Sequence, residues 1–306
     1  MSSHSWLVDL FFYHKITQRM KHLRLAALCT AILLFVLSVP FACQKEKSSN
    51  TIPEGQQRVR IFLSDNPVNF DKVNVDIRQV IVQVIPDSCR GRDDNGNDCY
   101  DDDEYRCSVW DTLDIRPGVY NLLDLSNGTD TLLANGFTIA GRINKIKLVL
   151  GTQNSVVVDS VSYPLTLWNN NHTVTIQVRG QDIDEVTSDE LQLWLDFDAG
   201  ASIVKVSNNR FVLRPKLKLF VPARTAGLKG KVLPDDARAV VSAVANGDTL
   251  IAIPERHDGR FKIRGLRGSS ALVLINATRN GYRDTSFTVN LQAGRDTDVG
   301  TIRLRN

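Results

Sequence analysis

RVRIFLSDNPVNFDKVNVDIRQVIVQVI, Arg58 to Ile85, is the stretch that decides the fold. Apolar and polar residues alternate along both of its halves, the period of a strand with one buried face. In the second half Val73, Val75 and Ile77 share one face, and the apolar parity then moves to Val80, Val82 and Val84. One residue too many has entered the strand, which predicts a β-bulge at Arg78-Gln79.

Downstream the same pattern recurs in GVYNLLDL (118–125), INKIKLVLG (143–151), SVVVDSVSYPLTL (155–167), HTVTIQV (172–178), ELQLWLDFDA (190–199) and RFVLRPKLKLFV (210–221). No ten-residue amphipathic helix interrupts it. So many short strands between turn residues predict an all-β chain built as a sandwich or barrel. With the C-terminal strands added, the fold expected is two β-sandwich-like domains in tandem after a leader and a flexible tether.

VRIFLSDNPVNFDKVNVDIRQVIVQ, GVYNLLDL, INKIKLVLG, the YPLTL run and LWLDFDAGASIVKV with FVLRPKLKL together resemble the bacterial domain of unknown function 4382, which assigns residues 58–223 to one β-sandwich domain. That resemblance implies a secreted or lipid-anchored protein and brings no activity with it. Residues 224–306 form the second expected unit. GLKGKV, AVVSAVANGDTLIAIPERHDGRFKIRGL, ALVLINATRNGYRDTSFTVNL and DVGTIRL resemble the carboxypeptidase regulatory-like module, a prealbumin-like sandwich grouped with carbohydrate-binding-like folds. DGRFKIRGL is its most specific piece. Where that family usually continues with Gly-x-Tyr, this chain has Gly268-Ser269-Ser270. The resemblance implies no peptidase chemistry.

Ahead of the strands lies LAALCTAILLFVLSVPFAC, Leu25 to Cys43, which resembles a lipoprotein signal. Lys21 and Arg24 precede an apolar run of fifteen residues, and the small Ala42 precedes Cys43. The run is short for a membrane span. The resemblance implies that residues 1–42 are removed and Cys43 is acylated, although Pro40 stands where such signals usually carry leucine. Residues 1–19 precede the signal's own architecture and read as an over-extended start. Residues 43–57, the lipidated cysteine and a polar segment with Pro53 and Gly55, read as a tether holding the first domain about 20 Å from the lipid. The predicted location is the outer membrane, on its surface or periplasmic face.

The whole chain carries 37 basic and 34 acidic residues. Removing the leader takes away Lys15, Arg19, Lys21 and Arg24 with Asp9, which leaves 33 of each sign. A neutral mature chain gives nucleic acid no basic footprint. The charge is divided, however: residues 224–306 carry 14 basic and 8 acidic side chains, so residues 43–223 hold an acidic excess of six. A charge-assisted contact between the two halves is expected.

The densest chemistry is the loop DSCRGRDDNGNDCYDDDEYRC. Counting from Asp93, oxygen ligands for Ca²⁺ fall at Asp93, Asn95, Asn97, the Cys99 carbonyl, Asp101 and Glu104, the positions of a twelve-residue calcium loop. Asp98 occupies the place where such loops need glycine, and no flanking helices are predicted. A solvated acidic insertion without a ligand is the alternative, and both readings stand open here. Cys89, Cys99 and Cys107 lie in the same loop. An exported chain meets oxidising conditions, so one disulfide among these three is expected, with one thiol left over. Their spacing, with no histidine near, does not suit zinc.

Asp196 and Asp198 share one face of their strand about 7 Å apart, with Leu193, Leu195 and Phe197 on the other. Arg214, Lys216 and Lys218 are expected opposite them, as cross-strand ion pairs. Asp65 reads as a turn former before Pro67. Tyr163, Trp168 and Trp194 are candidate sugar-stacking residues if they share an exposed face. Residues 44–306 hold no GxSxG, HExxH, P-loop or GxGxxG pattern. The expected function is therefore non-catalytic binding, of carbohydrate in the first instance, with a structural or adhesive role on another envelope protein as the alternative. The distinguishing feature is what the strands display: an exposed aromatic row suits sugar, and an unpaired strand edge suits protein.

Overall fold

The computed structural model describes residues 52–65, 68, 70–89, 107–179, 190–279 and 281–306, and Ile52–Asn306 form one compact unit. It is all-β. Strand β1 (Gln56–Asp65) is followed by β2 (Lys72–Pro86), β3 (Val109–Ile115), β4 (Gly118–Asn121), β5 (Thr131–Ile139), β6 (Gly141–Leu150) and β7 (Ser155–Val158). Then come β8 (Val161–Leu167), β9 (Thr173–Gln177), β10 (Glu190–Phe197), the single-turn α1 (Ala199–Ser202), β11 (Ile203–Ser207), β12 (Arg210–Leu213) and β13 (Leu217–Phe220). These 13 strands form one hydrogen-bonded network.

β2 is its spine. Residues Lys72–Ile77 pair with β7 and β4, and Val80–Val84 pair with β3 on one side and β6 on the other. The register against β6 slips between Ile77 and Gln79, where the change of apolar parity puts the bulge. Because of that slip Val73, Val75, Ile77, Val80, Val82 and Val84 are all 0 % exposed. Without it, one valine triplet would face away from the core.

Two long runs of strand pattern are each broken in two. SVVVDSVSYPLTL turns at Asp159 and Ser160, both at positive φ (49° and 65°), giving the β7–β8 hairpin. RFVLRPKLKLFV is split around Pro215 into β12 and β13. Only Lys218 therefore lies opposite Asp196, and Arg214 and Lys216 stand outside that ladder. GVYNLLDL likewise gives a short strand and then a tight turn over Leu122–Leu125.

A second core follows. β14 (Ala226–Leu233), β17 (Arg260–Leu266) and β20 (Asp296–Arg303) make a three-stranded sheet. β15 (Ala239–Ala245), β16 (Asp248–Ala252), β18 (Ser270–Ala277) and β19 (Thr285–Asn290) make a four-stranded one. Leu228, Val232, Phe261 and Ile263 from the first sheet meet Val241, Ala243, Val273 and Ile275 from the second in one buried cluster. It is a small sandwich, with period-two burial clearest on β15 and β19.

Opposite charges meet between the two cores, in both directions. The Asp130 carboxylate accepts from Trp194 Nε1 at 2.9 Å and pairs with Arg264 on the same oxygen. Lys218 Nζ lies 3.2 Å from Asp248. Two hydrogen bonds to carbonyls add to them: Asn127 Nδ2 donates to the Ile253 carbonyl at 3.0 Å, and Arg267 Nη2 to the Leu219 carbonyl at 3.3 Å.

Candidate functional site

The network runs in the order β9-β6-β2-β3-β5-β1-β10-β13 around the first core, so its two end strands return to one another. β9 and β13 approach within 8 Å at their Cα atoms yet, among the described residues, pair only with β6 and β10. Between them is an open seam.

The backbone direction on each edge follows from the bonds already made. Val178 N–H donates to Asn144 and Leu150 N–H to His172, so even-numbered residues of β9 turn towards β6. Thr173, Thr175 and Gln177 turn their backbone groups the other way. Asp198 N–H donates to the Lys216 carbonyl, and the same alternation turns Leu217 and Leu219 to the seam. The Thr173 N–H is taken by the Asn171 side chain, and the Leu219 carbonyl by Arg267. Among the described residues, the seam-facing N–H and C=O groups of Thr175, Gln177 and Leu217 have no partner.

A cleft of about 610 Å³ occupies the seam. Val174, Ile176, Leu217 and Leu219 give it an apolar floor, and Asp248, Leu250 and Arg264 of the second core close one side. Its carboxylates already serve the fold. Asp196, 8 % exposed, accepts from Ser64 Oγ at 3.3 Å. Asp198 accepts from Ala201 N–H at 2.8 Å and so caps α1. Asp65 is no simple turn former: its buried carboxylate accepts from Ala199 N–H at 3.0 Å and ties the end of β1 to the same corner.

A family profile described as a domain of unknown function (DUF4382) matches residues 56–215, more than half of the 306-residue chain. The chain belongs to the DUF4382 family. The DUF4382 match includes β9 and stops at Pro215, just short of β13, so one wall of the seam lies within the match and the other beyond it. No curated protein matches the chain. Among solved structures, the major pilin subunit BcpA of Bacillus cereus is similar at 9 % identity, over 82 % of this chain and 70 % of that one, with a TM-score of 0.24. The minor pilin GBS52 of Streptococcus agalactiae is similar at 9 %, over 80 % and 94 %, with a TM-score of 0.20. The Bacillus anthracis TIE protein is similar at 10 %, over 82 % of this chain, with a TM-score of 0.21, and the chain spans about a third (34 %) of its length. Likenesses this distant do not bear on function.

The aromatic candidates do not form one platform. Trp194 in the DUF4382 segment stacks face to face on Phe62, with centroids 4.4 Å apart and planes 12° from parallel, and its indole N–H is held by Asp130. That stack covers one of the ring faces that a sugar would need. Tyr163 packs at 5.3 Å against Phe211. Trp168, 46 % exposed, sits apart with the Arg214 guanidinium 5.8 Å from its ring. Cys89 and Cys107 are disulfide-bonded, with Cα atoms 6.4 Å apart. Cys43, Cys99 and the calcium-loop residues Asp93, Asn95, Asn97, Asp101 and Glu104 lie outside the described residues. Among the described residues no group of three His, Cys, Asp or Glu side chains is placed to hold a metal, and no helix is long and apolar enough to cross a membrane.

Proposed function

We propose that the protein is a non-catalytic binding and scaffolding component of the cell envelope, and that it holds another envelope protein at the seam between β9 and β13. The reading is carried by one observation: two adjacent strand edges whose Thr175, Gln177 and Leu217 backbone groups have no partner among the described residues, over an apolar floor. Unpaired edges invite a further strand, and main-chain bonds to such an edge are a common way of binding a peptide segment. In this reading residues 224–306 are a carboxypeptidase regulatory-like module that roofs the seam, and Cys43 carries the acyl chain that keeps both at the outer membrane.

A photoreactive side chain at position 175, introduced in intact cells, is expected to crosslink a discrete envelope protein, while the same group at position 168 crosslinks none. Equal protein capture at both positions, or none at 175, would count against the seam. Capture of glycan at 168 alone would favour the second reading, polysaccharide binding at the exposed Trp168. For the anchor, Cys43→Ser is expected to lose all incorporation of labelled palmitate and to leave the membrane fraction. Label retained by the serine variant would remove the lipoprotein reading.

A further inference from the structure

We infer that β19 (Thr285–Asn290) is a dimerisation edge, through which two copies of the chain pair antiparallel about a two-fold axis at Thr288 and join their four-stranded sheets into one. This goes beyond the seam: β19 ends the sheet opposite β16, whose Asp248 and Leu250 line the cleft. Folded proteins blunt their sheet edges with charge, proline, bulges or cover, because an open edge pairs with whatever strand it meets. The other three edges of the small sandwich obey that rule. β17 carries Arg260, Lys262 and Arg264, and β17 and β16 are tied to the first core through Arg264 to Asp130 and Asp248 to Lys218. β20 carries Asp296 and Asp298, its register against β14 shifts between Lys229 and Lys231, and Gly300 turns to a φ of 67°. β19 has none of these devices. Its sequence TSFTVN holds no charge and no proline, its ladder with β18 runs without a register shift, and among the described residues it pairs with no other strand.

The edge matches itself. Leu291 N–H donates to the Ser269 carbonyl, so odd-numbered residues of β19 bond to β18. Ser286, Thr288 and Asn290, all exposed, turn their N–H and C=O groups outward. In an antiparallel pair centred on Thr288, Thr288 exchanges both bonds with its own counterpart, and Ser286 exchanges both with Asn290 of the second copy. An axis at Phe287 or Val289 would leave only two outward pairs within the strand, so the Thr288 register alone uses all three residues. The Asn290 carbonyl already accepts from Thr297 Oγ1 at 3.1 Å, and its second lone pair takes the new bond. On the core-facing side the same register sets Phe287 beside Val289 of the second copy, an aromatic and β-branched pair. Both are half-buried against the second core, so pairing covers apolar surface that one copy leaves half open. Asp284, the nearest charge in the chain, falls opposite Gln292, and no like charges meet across the ladder. A two-fold pair is closed, so the dimer does not grow into a filament.

The test is sedimentation of the full chain in detergent across micromolar concentrations, since a strand pair of this length buries less than a standard interface. The wild-type chain is expected to dimerise. Thr288→Lys, an exposed substitution, sets two ammonium groups together at the axis and is expected to weaken the dimer about fivefold, as is Thr288→Glu with two carboxylates. An equimolar mixture of the two is expected to recover the wild-type affinity as a mixed dimer, because only a residue on the axis meets its own counterpart. Thr288→Pro removes an N–H that β18 does not use and is expected to leave monomer, with hydrogen exchange in β15 and β18 still slow. Association through the leader or a shared micelle would be indifferent to position 288. A wild-type chain that stays monomeric, a dimer that ignores all three substitutions, or charge variants that do not recover on mixing would each overturn the inference. So would a photoreactive group at 288 that captures a different protein in intact cells and no second copy, which would make β19 an edge for a foreign strand.

Discussion

Asp76→Ala is expected to destabilise the chain by about 3 kcal/mol, the cost of removing a buried carboxylate from donors that are arranged around it. The Asp76 side chain is 0 % exposed, and Arg78 grips both of its oxygens, at 2.7 Å from Nε and 2.9 Å from Nη2. The Gln153 N–H donates to the same carboxylate at 3.1 Å. Around it the backbone closes: Asp76 N–H donates to Asn154 Oδ1 at 2.8 Å, Asn154 Nδ2 to the Gly151 carbonyl at 2.8 Å, and Gly151 N–H to the Asp76 carbonyl at 2.8 Å. This knot sits at the bulge, where β2 passes from its β4 and β7 partners to β3 and β6. Alanine would leave the Gln153 N–H and the Arg78 guanidinium without their acceptor, and would open space beside Gly151. Gly151 has no side chain to fill it, and in the wild-type chain that lack is what admits the carboxylate, because a Cβ there would lie 2.0 Å from Asp76 Oδ2. Asp76→Asn keeps the shape and one acceptor, so about half the loss is expected. Urea unfolding followed by tryptophan fluorescence measures both, and a loss below about 1 kcal/mol for alanine would mean that the knot does not hold the bulge.

The bulge itself was legible, because Val73 to Val84 change parity in the middle of one apolar run and a strand has no other way to bury both triplets. The knot was not. Parity puts Asp76 on the outer face of β2, and only the long-range approach of Gly151–Asn154 covers it. The same limit explains the seam. Nothing in HTVTIQV or LKLF announces an unpaired edge, since that depends on β1 running parallel to β10 and so deciding which strands end the network. Turns were legible in proportion to their chemistry. Asn246-Gly247, at φ 49° and 79°, joins β15 to β16 as an Asn-Gly hairpin should. Asp159-Ser160 takes the same positive φ without a glycine, so the sequence carries no mark of the hairpin between β7 and β8. The setting of Trp194 was not legible either: strand periodicity says which face a ring is on, and only its stacking on Phe62 says which way the ring points.

Gly259→Ala is expected to destabilise the second core by about 2–4 kcal/mol, from a left-handed backbone and a backbone clash acting together. Gly259 sits in the turn that opens DGRFKIRGL, at φ 71°, and a Cβ there would lie 2.2 Å from the Val232 carbonyl oxygen. That contact cannot move aside cheaply, because the Val232 N–H donates to the Gly259 carbonyl at 2.9 Å and Gly259 N–H donates to Glu255 at 2.8 Å. The neighbours follow the same logic. Asp258 accepts from the Arg260 N–H at 2.9 Å and pairs with its guanidinium at 2.7 Å, which directs Phe261 inward to 3 % exposure. The motif is thus a turn whose glycine lets β17 start flush against β14. Hydrogen exchange read by mass spectrometry would show the effect as faster exchange in β14, β17 and β20. If the Asp130 contacts with Trp194 and Arg264 bind the two cores into one cooperative unit, β1 and β10 will exchange faster as well. If those contacts are only a surface latch, protection in β1 and β10 will stay unchanged, and Asp76→Ala will in turn leave β14, β17 and β20 protected. Unchanged exchange in β14 and β17 themselves would show that the turn tolerates a side chain and that the glycine is not what seats the strand.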